Sequence, residues 1–109
     1  MNYKTYEDAL NAVKRDGYEL YYVSKKLIDY NMCLEAVKQK GEALKYVSKK
    51  HKDYNMCFEA VKENGLALKC VPKKLIDLKI CLEACKQNSW ALEDVPEKYM
   101  DIIEEELNL

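Results

Sequence analysis

Glycine, proline and arginine are scarce in this chain of 109 residues, which has three Gly, two Pro and a single Arg. So few glycines and prolines leave little room for long loops. No apolar run comes near the roughly 18 residues of a membrane-spanning helix, and the N-terminal MNYKTYEDA lacks the apolar stretch of a secretory signal. These absences predict an intracellular protein that lies in the cytoplasm and contacts no membrane.

Histidine is equally rare, since His51 is the only one. A lone imidazole with no nucleophile beside it is a weak basis for acid–base or covalent catalysis. Ser24 and Ser48 are the candidate nucleophiles, but they recur one sequence period apart, as residues that start a helical turn would. We therefore predict a protein that is not an enzyme and has no cofactor or small-molecule substrate, with His51 packed in a half-buried position.

The five cysteines include no Cys-x-x-Cys pair, and five is an odd number for a disulfide framework. Cys33, Cys57 and Cys81 recur 24 residues apart, and the counterparts of Cys70 and Cys85 are mostly apolar. We expect thiols that pack in a core. The alternative is a metal site with two ligands from Cys81 and Cys85, which lie one helical turn apart.

The remaining composition is that of a folded domain, with 49% hydrophobic residues, 34% charged residues and a net charge of −1. The charges are placed unevenly. Residues 1–52 carry 11 basic and 7 acidic side chains, a balance of +4, whereas residues 53–109 carry 7 and 12, a balance of −5. Such an asymmetry can orient the molecule on a partner, although it does not say what the partner is.

Repetition is the dominant feature of the sequence. Residues 29–52 read DYNMCLEAVKQKGEALKYVSKKHK and residues 53–76 read DYNMCFEAVKENGLALKCVPKKLI, with 16 of 24 positions identical. Residues 5–28 and 77–100 fit the same frame. A fixed period of this length is typical of a solenoid. We predict one all-α domain over residues 1–109: an α-solenoid of four 24-residue helical repeats, with a lead-in at Met1–Lys4 and a C-terminal cap at 101–109.

Local signals place one helix near the start of each unit. An aspartate stands in N-cap position before three of these helices: Asp29, Asp53 and Asp77. A glycine follows the helix in three units, where we expect a left-handed residue that ends it: Gly17, Gly41 and Gly65. Ser89 replaces that glycine in the fourth unit and should make the ending less well formed. Small residues, such as the column Ala12, Ala36, Ala60 and Ala84, should let neighbouring helices approach closely.

The later part of each unit predicts a second, shorter helical segment and a final turn. Ala43, Leu44 and Val47 should face inward in the second unit. Ser48 should cap the final turn, and Pro72 should be its first helical residue in the third unit. In the fourth unit we expect the turn to close on Tyr99–Met100. The cap should then cover the core with Ile102, Ile103 and Leu107 while Glu104, Glu105 and Glu106 face water.

The repeated pattern is Asp-x-x-x-Cys/Val-x-x-Ala-Val-Lys-x-Asn/Lys-Gly-x-Ala-Leu-x-Tyr-Val-Ser/Pro. It resembles the short helical tandem-repeat family catalogued as domain of unknown function 4116, from about Thr5 to Met100. The resemblance implies a helical repeat fold and no assigned activity, and it supplies no catalytic residues. Ser89 in place of the usual Gly, and Cys where a larger aliphatic residue is common, are departures that concern packing.

Lysine and tyrosine recur in register on the predicted surface. Tyr6, Tyr30 and Tyr54 form one column, and Lys14, Lys38, Lys62 and Lys86 another. Glu35, Glu59 and Glu83 precede three of these lysines by three residues, close enough to pair. The predicted face is therefore solvated, with tyrosines at the junctions between units.

Tyr18 and Tyr21 depart from the repeat, because their counterparts are Glu42 and Lys45. With Tyr22 they form an aromatic group near the basic end. Trp90 is a similar extra residue, which either packs in the cap or acts as a second anchor. The predicted partner-binding residues are Tyr18, Tyr21, Tyr22, Tyr46, Lys25, Lys26, Lys49, Lys50 and Trp90.

These features favour a non-enzymatic module that binds another protein and acts stoichiometrically, as an inhibitor or adaptor. Its small size and lack of chemistry motivate the further hypothesis of a phage-encoded inhibitor of a host defence protein. The alternative is binding of RNA or single-stranded DNA through the lysine and tyrosine columns. We expect no metal.

Overall fold

The computed structural model describes residues 3–109, and helices are the only regular secondary structure there. The α-helices are α1 (Tyr6–Arg15), α2 (Tyr30–Gln39), α3 (Tyr54–Glu63), α4 (Leu78–Gln87) and α5 (Glu97–Leu107). Six-residue 3-10 helices follow the first four, at Gly17–Tyr22, Gly41–Tyr46, Gly65–Cys70 and Ser89–Asp94. Shorter 3-10 turns span Lys49–His51 and Lys73–Leu75. The all-α prediction is confirmed, and Met1 and Asn2 of the predicted lead-in lie outside the described residues.

The units stack in two layers. Helices α1 to α5 pack on one another in chain order, and the six-residue 3-10 helices form a parallel row beside them. Each of the first three six-residue 3-10 helices contacts the α-helix of its own unit and that of the next. The molecule measures 50 × 23 × 17 Å with a radius of gyration of 14.8 Å, above the value of about 13 Å for a compact domain of this length. The solenoid prediction is confirmed.

The core repeats with the sequence. Ala36, Val37 and Leu44 of the second unit are fully buried, and so are their counterparts in the third unit. The predicted inward positions Ala43 and Val47 are buried too, and the whole alanine column is in the core. Because each interior unit covers the next, one apolar core runs the length of the rod.

Each predicted aspartate N-cap is confirmed. One side-chain oxygen of Asp29 accepts a hydrogen bond from the backbone N–H of Met32 at 2.8 Å, and Asp53 and Asp77 repeat this bond at 2.9 Å.

The final turns differ from the prediction. Ser48 stands in N-cap position without a capping bond from its side chain, and Pro72 precedes its turn instead of being the first helical residue.

The same aspartate oxygens join successive units. Tyr30 donates its hydroxyl hydrogen to Oδ1 of Asp53 at 3.0 Å, and the pairs Tyr6–Asp29 and Tyr54–Asp77 have the same length. Burial, followed by the hydrogen bond to Asp77, raises the pKa of Tyr54 to about 12, so its hydroxyl remains a donor at neutral pH. The tyrosine column therefore lies at the junctions, and its hydroxyls are engaged by the protein itself.

The predicted role of the glycines was wrong. The helices before them end at extended residues, Asp16, Lys40 and Asn64, and no glycine has a positive φ. A Cβ on Gly41 would instead lie 2.2 Å from the carbonyl oxygen of Ala60 in the next unit, and Gly17 and Gly65 show the same approach. Glycine is present because two backbones meet there without space for a side chain.

The prediction for Ser89 was also wrong. Asn88 ends α4 with a 2.9 Å bond from its N–H to the carbonyl of Ala84, the geometry that the other units show. Ser89 is exposed, since no unit of the repeat pattern packs against it. A side chain is therefore tolerated at this one member of the glycine column.

The C-terminal cap begins earlier than predicted. Helix α5 starts at Glu97, so Tyr99 and Met100 belong to its first turns and do not close a separate turn. Ile103 is fully buried and Leu107 packs against the core, but Ile102 is 46% exposed and does not cover the core as predicted. The three glutamates 104–106 face water. Across residues 3–109, every helix is too short or too polar to span a bilayer.

Candidate interaction surface

Four aromatic side chains, which we call the tyrosine cluster, meet on the outer face of the 3-10 layer: Tyr18, Tyr21, Tyr22 and Tyr46. The ring centroid of Tyr21 lies 5.0 Å from that of Tyr46 and 5.2 Å from that of Tyr22. Tyr18 meets Tyr46 edge to face at 6.5 Å. These are the separations of favourable aromatic pairs, so the rings support one another.

The first two 3-10 helices position these rings. Leu20 is buried and holds the first of these helices against the core, while Tyr18, Tyr21 and Tyr22 keep 36%, 65% and 50% of their surfaces exposed. Tyr46 belongs to the adjacent unit and is half-buried beneath them. The cluster is therefore rigidly supported from below and open to solvent above.

Cations surround the cluster. Nζ of Lys45 lies 5.9 Å from the ring centroid of Tyr18 and 5.3 Å from that of Tyr46, and Nζ of Lys40 lies 5.9 Å from Tyr18. Burial, with Glu42 nearby, raises the pKa of Tyr18 although Lys45 opposes the shift. The surface thus presents aromatic rings beside Lys40 and Lys45, with Glu42 also near Tyr18. Sequence reasoning did not select these two lysines.

Two grooves that are related by the repeat open between the last turns of successive units. The first has a volume of about 380 Å³ and is lined by Lys25, Ile28, Tyr46, Ser48, Lys50 and His51. The second, of about 510 Å³, is lined by Lys49, Lys52, Cys70, Pro72, Lys73 and Lys74. Five of the six residues that line the first groove have their counterpart, 24 residues later in the chain, in the lining of the second. Tyr46 belongs both to the tyrosine cluster and to the first groove, so the two features are continuous.

Six exposed lysines, which we call the lysine edge, follow these grooves: Lys25, Lys26, Lys49, Lys50, Lys73 and Lys74. Within the described part of the chain the ion pairs are Lys62–Glu59 at 3.8 Å and Lys69–Glu42 at 3.7 Å, and neither involves the edge. Lys52 is different, because its ammonium group donates to the carbonyl of Cys70 at 3.1 Å. The edge therefore carries charge that the described residues do not neutralise.

The structure brings most of the predicted partner-binding residues onto one side of the basic half. Tyr18, Tyr21, Tyr22 and Tyr46 touch, Lys25 and Lys50 line the groove that Tyr46 shares, and Lys49 lines the next. Lys26 is exposed beside Lys25. Sequence reasoning missed other residues that line the grooves: Ile28, Lys52, Lys73 and Lys74. Once one groove is known, the 24-residue spacing leads from its residues to those of the other.

Trp90 stands apart from these residues. Its side chain is 71% exposed, which excludes the interpretation that it packs in the cap. It occupies the repeat position of Tyr18 on the fourth 3-10 helix, three units away. At about 8–10 Å for each pair of packed helices, it lies at the far end of the same face and cannot contact the tyrosine cluster.

The lysines and glutamates of the α-helical face pair only in part. Lys62 and Glu59 form the single pair among the three predicted ones that lies within 4 Å in the described residues. Lys14, Lys38 and Lys86 are exposed on the helices. This face is solvated, as predicted.

The cysteines pack as predicted. Cys33, Cys57, Cys81 and Cys85 are buried and Cys70 is half-buried. Burial raises the pKa of Cys33, Cys57 and Cys81 to about 11, so these groups are neutral thiols at physiological pH. Residues 3–109 contain no group of three or more His, Cys, Asp or Glu side chains placed to hold a metal ion, and His51 is half-buried.

Thiol labelling of the native chain should therefore have one fast phase. We expect an aromatic disulfide reagent at pH 8 to modify Cys70 first, because only Cys70 is partly exposed, and to modify the other four thiols at the slower rate of structural opening. Absorbance at intervals measures the phases, and Cys70→Ser should remove the fast one. Equal rates for all five thiols before unfolding would contradict the packing.

Comparison with known proteins agrees with this architecture. The family model described as Domain of unknown function (DUF4116) matches residues 6–52 and again residues 53–100. No curated protein and no solved structure matches the chain. Each family match spans two of the 24-residue units, so one family domain corresponds to a pair of stacked units. The chain belongs to the DUF4116 family and carries two copies of its domain in tandem.

Proposed function

We propose that this chain is a protein-binding module that acts in the cytoplasm by stoichiometric occupation of its partner, as an inhibitor or adaptor. The observation that carries the proposal is the tyrosine cluster. Tyr18 and Tyr21 have Glu42 and Lys45 as counterparts, so the repeat fold does not need aromatic rings at these positions. Their exposure has no explanation in the packing of the solenoid.

The physical properties of the cluster suit a protein interface. Tyrosine is enriched at the centres of such interfaces, where a large rigid ring buries apolar area and its hydroxyl keeps a polar partner. The rings already contact one another, so binding would immobilise few additional side-chain rotamers. Lys40 and Lys45 at the border add positive charge that favours an acidic partner surface.

Binding of RNA or single-stranded DNA is the second candidate, and the unneutralised charge of the lysine edge favours it. Recognition of single strands also needs aromatic rings on which successive bases stack. The first groove is lined by the rings of Tyr46 and His51, and no aromatic ring lines the second. The hydroxyls of the tyrosine column, Tyr6, Tyr30 and Tyr54, are bound to aspartates. A protein partner therefore fits the surface better.

Replacement of Tyr18 and Tyr21 together by alanine should weaken partner binding by at least tenfold, because both rings would lie at the centre of the interface. The matched control is Leu66→Ala with Lys69→Ala, which changes the equivalent positions two units away. Partners captured by the full chain from nuclease-treated host extract would be identified by mass spectrometry, purified and titrated against both variants.

Two results would contradict the proposal. One is equal affinity of the tyrosine variant and the control for the purified partner, with circular dichroism unchanged in both. The other is capture from untreated extract that is absent from the nuclease-treated extract, together with a gel shift of RNA or DNA that weakens steeply between low and moderate salt. The second result would establish the nucleic-acid candidate instead.

A further inference from the structure

We infer that the two lysine-lined grooves form a track for an extended acidic segment of the protein partner, which runs from the tyrosine cluster along the lysine edge. This inference rests on the proposed function and names the chemistry of the partner. The track would accept carboxylate side chains in register with the repeat, one group for each unit.

The spacing of the grooves matches the repeat of an extended segment. They are built from equivalent positions, such as Lys25 and Lys49 or Lys50 and Lys74, and therefore repeat at the distance between stacked units. Neighbouring packed helices lie about 8–10 Å apart. A polyproline II segment rises about 3.1 Å per residue with three residues per turn, so every third side chain recurs on one side after about 9 Å. Acidic residues at every third position would thus meet successive grooves.

The walls of the grooves also support the inference. Ile28 and Tyr46 line the first groove and Cys70 and Pro72 the second, between the lysines. A polypeptide can place apolar residues against these walls while its acidic residues meet the ammonium groups. A phosphodiester strand has no aliphatic side chains, and in the second groove its bases would find no aromatic ring for stacking.

The charge at the far end sets the limit of the track. At the repeat positions of Lys69, Cys70 and Lys73 the fourth unit has Glu93, Asp94 and Glu97, and only Lys98, the counterpart of Lys74, keeps a positive charge. Like charges would repel an acidic segment there. The segment is therefore confined to the first three units, with the tyrosine cluster at one end of the track and the acidic fourth unit beyond the other.

A labelled acidic peptide tests the inference. The probe is a fluorescein peptide of about four polyproline II turns, roughly 12 residues, with Glu at every third position between Pro and Ala, titrated with the full chain by fluorescence anisotropy at low salt. Lys25→Glu with Lys50→Glu should weaken binding by about tenfold or more, because two ammonium groups of one groove become repulsive. The control Lys14→Glu with Lys38→Glu makes the same change in net charge on the α-helical face and should change the affinity by no more than about twofold.

Three comparisons can overturn the inference. They are absence of binding to the peptide, equal binding of a peptide with the same composition and all Glu at one end, and equal loss in both lysine variants. Tighter binding of an oligothymidine that Lys25→Glu with Lys50→Glu abolishes would assign the edge to nucleic acid. If the purified partner still depends on Tyr18 and Tyr21 but not on these lysines, the track is refuted and the protein-binding function stands. All substituted lysines are exposed, and circular dichroism checks that each variant folds.

Discussion

Replacement of Gly41 by alanine should lower the free energy of unfolding by about 3 kcal/mol, although alanine adds only one methyl group. The added Cβ would lie 2.2 Å from the carbonyl oxygen of Ala60, and the obstacle is backbone that belongs to another unit. Relief of this overlap would require two stacked units to separate, so the effect lies at the upper end for overpacked cores. Urea unfolding followed by circular dichroism measures the change.

Two further variants distinguish this explanation from a left-handed helix end. Asparagine is well tolerated at left-handed positions. If Gly41 were needed for a left-handed backbone, Gly41→Asn would therefore have little effect on stability. Because the backbone of the next unit lies close to Gly41, we expect Gly41→Asn to be more destabilising than Gly41→Ala. Ser89→Ala should change stability by no more than about 0.5 kcal/mol, because Ser89 is exposed. A mild effect of Gly41→Asn would contradict the close approach and would support a left-handed glycine at the end of the helix.

The repeat explains why the fold could be predicted from one sequence. The second and third units are identical at 16 of 24 positions, so equivalent residues should have equivalent environments. An apolar residue that recurs one period later is therefore more securely predicted to be buried. The aspartate caps were equally accessible, because an N-cap is a local interaction within three residues. Such short-range signals predicted the helices and the buried face correctly.

Some features that depend on contacts between units were not predicted correctly from the sequence. The glycines look like helix ends because Gly commonly stands there, and nothing local shows that the carbonyl of Ala60 meets Gly41. Ile102 and Ile103 are chemically identical neighbours, and only the rotation of α5 on the core decides that Ile103 is the buried one. The sequence also did not distinguish the 3-10 from the α form of the second helix.

The candidate surface also combines residues that the sequence identifies with residues that only the structure brings together. Tyr18 and Tyr21 could be selected from the sequence because they break the repeat, and departures from a period need no structure to be seen. The grooves could not be selected in this way, since each takes its walls from two successive units: Lys25 and Ile28 come from one, Ser48 and Lys50 from the next. Lysines that recur in register look like a solvated face until their neighbours are known.

Asp53→Ala is the second substitution with a large expected effect, a loss of about 1.5–2 kcal/mol of unfolding free energy. One oxygen of Asp53 accepts from the backbone N–H of Met56 at 2.9 Å and from the hydroxyl of Tyr30 at 3.0 Å. Loss of the N-cap accounts for about 1 kcal/mol. Loss of the exposed hydrogen bond from Tyr30 accounts for about 0.5–1 kcal/mol more, because water can replace the missing acceptor. Chemical denaturation of the full chain measures the sum.

A double-mutant cycle with Tyr30→Phe separates the two contributions. Tyr30→Phe alone should lower the unfolding free energy by about 1 kcal/mol, and Asp53→Asn should be mild, since an amide oxygen can accept both bonds. Because Tyr30 and Asp53 belong to adjacent units, a coupling of about 1 kcal/mol would measure what one unit contributes to its neighbour. Strict additivity of the two changes would mean that the cap acts only within its own helix, and the hydroxyl would then have no part in joining the units.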